Sequence, residues 1–102
     1  MRDLIKVVAV QPLAGHWLRV SFSDGAVKDV DVGALLSGGG VFTDVRARRE
    51  VFERVRVNPE SRTVEWPGDV DLDPEVLYGR HEPEVPVPIE RRTVRAPSQA
   101  NA

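Results

Sequence analysis

The chain has 102 residues, enough for one domain, with 41% hydrophobic and 29% charged side chains, a balance that argues against full disorder. It has no cysteine, which excludes disulfides and thiolate metal sites. The formal net charge is −2, from 14 basic and 16 acidic side chains, far from the positive excess with which a whole domain grips phosphates.

The N-terminus, Met1-Arg2-Asp3-Leu4-Ile5-Lys6, leads into a short apolar run broken by Gln11 and Pro12. No signal peptide or membrane span is read there, so the cytoplasm is the expected location. Residues from Asp3 to Gln11 are rich in β-branched side chains and predict a strand. After a turn at Pro12-Leu13-Ala14-Gly15, the segment from Trp17 to Phe22 alternates: Leu18, Val20 and Phe22 fall on one face, Trp17, Arg19 and Ser21 on the other. Asp24-Gly25 signals a hairpin with a type I′ turn, leading into a third strand over Val27 to Val32. Three strands joined by tight turns predict an antiparallel meander.

Asp31 is placed to accept hydrogen bonds from a helical turn over Val32 to Leu36, which Ser37-Gly38-Gly39-Gly40 ends. Val41-Phe42 is expected to return to the core. A short helix over about Arg48 to Val55 would cluster Val51, Phe52 and Val55 on one side. A second hairpin is expected from Arg56-Val57-Asn58 and Arg62-Thr63-Val64-Glu65-Trp66, turned at Pro59-Glu60-Ser61, with Val64 and Trp66 on one face. Asp73 as N-cap, Pro74 at the first helical position and Glu75 in the first turn predict a closing turn of helix through Tyr78. Beyond Gly79, Pro83, Pro86, Pro88 and Pro97 interrupt any helix. The expected organisation is a single α+β domain over 1–79 and a flexible, proline-rich tail over 80–102. The fold class is two-layer α+β: an antiparallel β-meander plus a second hairpin, packed with two or three short helices.

Chemistry-bearing motifs are sparse. A nucleophilic triad needs a base beside a serine or cysteine, and only His16 and His81 are available. Ser37-Gly38-Gly39-Gly40 lacks the lysine that completes a phosphate-binding loop. Asp69-Val70-Asp71-Leu72-Asp73 opens like a calcium loop, but Pro74 and Arg80 stand where glycine and a bidentate glutamate are required. No catalytic residue, metal or cofactor is expected.

The ordered series Phe22-Ser23-Asp24-Gly25, Val30-Asp31-Val32, Val41-Phe42, Phe52, Val64-Glu65-Trp66-Pro67-Gly68 and Asp71-Leu72-Asp73-Pro74-Glu75-Val76-Leu77-Tyr78 resembles a family of short bacterial proteins catalogued as a domain of unknown function, DUF2442. The resemblance covers about Leu4 to Tyr78, and its most specific part is Glu65-Trp66-Pro67 with Asp71-Leu72-Asp73-Pro74-Glu75. It implies a fold similar to the N-terminal domain of a small Nitrosomonas protein. It further implies an antitoxin-like or partner role beside the product of a neighbouring gene. Ala47-Arg48-Arg49 departs from the Asp-Pro-type helix start common in members. Some relatives continue into a helix-turn-helix domain; here a tail is expected instead, so DNA binding is not implied by that route.

Three functions follow in order. The first is a protein-interaction module with a protein partner, the tail segment Val85-Pro86-Val87-Pro88-Ile89 lying extended against it. The second is a nucleic-acid-binding autoregulator using the arginines between Arg46 and Arg56. The third is a small enzyme using Glu65, Asp71 or Asp73. The candidate interaction residues are Trp17, Arg46, Arg48, Arg49, Trp66, Asp71 and Tyr78, with Trp17 favoured over Trp66 as an exposed contact.

Overall fold

Three strands form where they are expected, the first starting at Val7 rather than Asp3 and the third ending at Asp31 rather than Val32. The computed structural model describes residues 4–83 and 86–98. Asp3 of the expected first strand, Val85 of the expected extended segment and residues 99–102 of the expected tail lie outside them. Strand β1 (Val7–Pro12) pairs antiparallel with β2 (Trp17–Phe22), and β2 pairs antiparallel with β3 (Val27–Asp31). Leu18, Val20 and Phe22 are buried, whereas Trp17, Arg19 and Ser21 are only half-buried, so one face of this sheet meets the core. The β2–β3 turn differs from the expected type I′ form. Gly25 N–H donates to the Phe22 carbonyl and Phe22 N–H to the Ala26 carbonyl, and positive φ falls on Gly25 alone, at 92°. The loop therefore has three residues, with glycine supplying the left-handed position that closes it.

Asp31 Oδ1 accepts the Gly33 N–H at 3.0 Å, but the turn that follows is a 3-10 helix over Leu35–Gly38 rather than Val32 to Leu36. A second 3-10 turn, Gly40–Phe42, leaves Phe42 half-buried against the core and Val41 67% exposed. Only Phe42 makes the expected return. A helix the sequence did not signal, α1 (Thr43–Ala47), comes first; the one expected over about Arg48 to Val55 is α2 (Arg49–Phe52), which starts after an extended Arg48 and ends three residues early, with Val51 and Val55 only half-buried. The extended Arg48 turns the chain so that Val45 and Phe52 are both buried.

Strands β4 (Arg56–Val57) and β5 (Val64–Trp66) form the expected second hairpin, and β6 (Val70–Asp71) adds a third strand in the order β4-β5-β6. Asn58 Oδ1 organises the β4–β5 loop by accepting from Glu60 and Ser61 N–H. Val7 N–H donates to the Arg62 carbonyl at 2.9 Å, tying this sheet to β1. Helix α3 (Pro74–Tyr78) starts as read, with the Asp73 carboxylate accepting the Glu75 N–H, and ends on a left-handed Gly79. Trp66, Phe22, Phe52, Leu18, Leu36 and Leu77 are the largest fully buried side chains. Two antiparallel sheets and these short helices make a small α+β fold.

The stretch expected as a flexible tail contains a strand. β7 (Arg91–Arg95) pairs antiparallel with β3, so the first sheet runs β1-β2-β3-β7. Composition hides it, because Arg-Arg-Thr-Val-Arg has no apolar alternation and its pairing partner lies some sixty residues earlier. An edge strand takes its order from its neighbour's free backbone groups, and these leave no mark in its own side chains.

Candidate functional site

The solvent-facing side of the four-stranded sheet carries Trp17. Arg92, from β7, stacks its guanidinium over that ring at 4.3 Å from the centroid. Beside it Arg19 makes a bidentate pair with Asp29, at 2.8 and 3.0 Å. The Arg19 hydrogen bonds hold the Asp29 carboxyl below the usual carboxylate range. Trp17 is thus half-covered by the chain's own C-terminal strand. Trp66 is not a surface residue: it is 0% exposed, with Nε1–H donating to the Phe52 carbonyl at 2.8 Å. Its strand has both faces covered, so alternation could not tell a contact face from a core face.

The arginines between Arg46 and Arg56 are largely spoken for. Arg49 donates to Glu53 at 2.9 Å and to the Leu13 and Gly15 carbonyls, clamping the β1–β2 turn onto α2. Arg48 pairs with Glu50 at 2.8 Å. Arg56 and Asn58 both donate to the buried Glu65 carboxylate, at 2.8 and 2.9 Å, and hold it below its ordinary range, Asn58 contributing most. Arg46 and Arg54 are exposed, and the Arg46 carbonyl lies 2.9 Å from His16 Nε2.

Tyr78 is a junction. Its hydroxyl donates to Asp24, its ring meets Phe22 edge-on, and Lys28 Nζ sits 3.9 Å from the ring centroid. The Asp24 hydrogen bond, with burial, raises the Tyr78 phenol above its usual value. Lys28 also donates to the Tyr78 carbonyl at 2.7 Å, and Arg91 donates to the Val76 and Leu77 carbonyls at 2.7 and 3.2 Å. Three successive carbonyls at the end of α3 therefore each take a cationic donor. Burial lowers both Lys28 and Arg91 from their ordinary values.

Asp71 lines a groove of about 600 Å³ between β6, the Leu35–Gly38 turn, α3 and the side of His81, Glu82, Pro83 and Val87. Its apolar walls include Leu35, Phe42, Leu72, Val76 and Val87, and exposed Asp71, Asp73, His81 and Glu82 stand around them. Among the seven candidates, Asp71 belongs to this groove, Trp17 to the sheet face, Tyr78 to the α3 junction, and Arg46, Arg48 and Arg49 to the α1–α2 corner. They do not form one site. The groove is not legible in the sequence because its walls come from two regions far apart in the chain, Leu35 to Phe42 and the residues from Asp71 onward; the one local signal was the run of carboxylates at Asp69, Asp71 and Asp73. Among the described residues no cluster of His, Asp and Glu is arranged to hold a metal ion, and no helix is long and apolar enough to cross a membrane.

The expected likeness to the N-terminal domain of a small Nitrosomonas protein is not shown, since no curated protein and no solved structure matches the chain. A family model does match, described as a protein of unknown function, DUF2442, over residues 7–83. That span takes in both hairpins, the groove's acidic edge and all of α3, and the chain belongs to the DUF2442 family.

Proposed function

We propose that the protein is a protein-interaction module that takes an apolar, positively charged segment of a partner into the groove. The observation that carries this reading is the groove's composition: apolar walls from Leu35, Phe42, Leu72 and Val76 beneath exposed Asp71, Asp73 and Glu82. Such a surface gives affinity through buried apolar area, and its carboxylates select a basic partner. An antitoxin-like role, with the partner encoded by a neighbouring gene, is the specific form of this proposal. The nucleic-acid alternative has less support, because Arg48, Arg49 and Arg56 are engaged by carboxylates or backbone carbonyls within the fold.

Co-expression with the neighbouring gene product, followed by size-exclusion chromatography, tests the proposal. Co-elution is expected, with loss on Asp71→Arg, which reverses charge at an exposed groove position without touching the core. Independent elution of the two proteins at tens of micromolar, or co-elution indifferent to Asp71→Arg, would count against it.

A further inference from the structure

We infer that β7 is a second docking edge, separate from the groove, and that its occupant is an extended acidic segment of another protein paired strand to strand. The first sheet ends at β7, with no further strand beyond it among the described residues. Glu90 accepts the Asp31 N–H at 2.9 Å, and Arg91, Arg92 and Thr93 stand opposite Val30, Asp29 and Lys28. In an antiparallel ladder the N–H and C=O of one residue point to the same side, and successive residues alternate. Glu90 and Arg92 therefore face β3, and the backbone groups of Arg91 and Thr93 face the open side. Donor and acceptor are presented together, which suits a strand; a phosphate backbone would use the donors alone.

Charge decides which strand. From Arg91 to Ser98 the chain carries three arginines and no acid, on a protein of net charge −2. Arg92 is steadied by Trp17 and Arg95 by the Gly25 carbonyl at 3.1 Å, so both cations sit in defined places beside the edge. A second copy pairing antiparallel about Thr93 would bring the arginines of the two β7 strands together and so disfavour self-association. A strand with alternating carboxylates meets the same cations with opposite charge. Val94, 50% exposed, offers an apolar contact beside them.

The probe is a short blocked peptide alternating glutamate with valine, added to the full-length, isotope-labelled protein, with the matching lysine peptide as control. Amide shifts at Arg91 and Thr93 are expected with the glutamate peptide. Binding of the lysine peptide should be weaker by about tenfold or more, and added salt should narrow the gap. Thr93→Pro removes an outward donor while leaving the residues that bond to β3 in place, a position where a strand tolerates proline; it should abolish the shifts and keep the fold. Should that variant unfold, Arg92→Gln with Arg95→Gln carries the same expectation through charge alone. Equal binding of both peptides, no shift at β7, shifts confined to the groove, binding at β7 by duplex DNA but not by the glutamate peptide, or self-association through β7 would each overturn the assignment. Failure at β7 leaves the groove proposal standing, and the reverse holds too.

Discussion

Replacing Arg91 by methionine isolates what β7 contributes to the fold. Methionine keeps an unbranched stem of similar length but removes the guanidinium that donates to the Val76 and Leu77 carbonyls at 2.7 and 3.2 Å. A hydrogen bond from a charged donor contributes about 1.5–3 kcal/mol, and the longer contact falls at or below the weak end of that range. Loss of a cation at a helix C-terminus adds about 0.5 kcal/mol. Arg91 is only half-buried, so water partly replaces it at the freed carbonyls, and the expected net loss is about 2 kcal/mol. Urea unfolding followed by tryptophan fluorescence reads this directly, since Trp66 is buried. With a slope near 1.5 kcal/mol per molar, the midpoint should fall by about 1.3 M. Ending the chain after Ile89, which removes the whole strand, should cost at least as much. A midpoint for Arg91→Met within about 0.3 M of the parent would refute the reasoning and make the β7–α3 contact incidental.

Trp66→Phe removes the donor to the Phe52 carbonyl and leaves unfilled volume in the core; a loss of about 2–3 kcal/mol is expected by thermal or chemical denaturation. Arg62 holds a left-handed φ of 57° on an exposed loop, so Arg62→Gly should raise stability by about 0.5–1 kcal/mol, read by the same denaturation midpoint. The Asp29 and Glu65 carboxyls are both held below their ordinary range in the folded protein, by Arg19 and by Asn58 with Arg56. As pH falls the unfolded chain protonates these groups first. Their stabilisation is thus complete above the usual carboxylate range near pH 4–4.5 and is lost as pH drops through the lower folded values. Glu65→Gln should therefore flatten the acid limb of a plot of unfolding midpoint against pH; an unchanged limb would show that the Asn58–Arg56 cradle does not favour the carboxylate.

Much of the fold was legible because it rests on local rules. Alternation separated Leu18, Val20 and Phe22 from Trp17, Arg19 and Ser21, and the register of β2 against β3 follows that pattern. Asp73, Pro74 and Gly79 mark the ends of α3 by capping, which involves only neighbours in the chain. The helix expected over Arg48 to Val55 starts on time as α2 but stops at Phe52: apolar spacing reports which side chains meet the core, and turn hydrogen bonds from Arg54 and Val55 bring Val55 against it equally well without a continued helix. The arginines between Arg46 and Arg56 looked like one patch because they are close in sequence, whereas Arg49 serves the β1–β2 turn and Arg56 serves Glu65.

The alternation of β2, the positions of the turns, the capping of α3 and the family resemblance are written in the residues themselves, because each depends on side-chain chemistry within a few positions. That Arg91–Arg95 completes a sheet, that Trp66 is core while Trp17 is half-exposed, and that Asp71 borders a groove emerge only once the chain is folded. Backbone pairing at an edge and walls assembled from distant segments depend on groups brought together only when the chain closes on itself, and no local pattern of side chains encodes them.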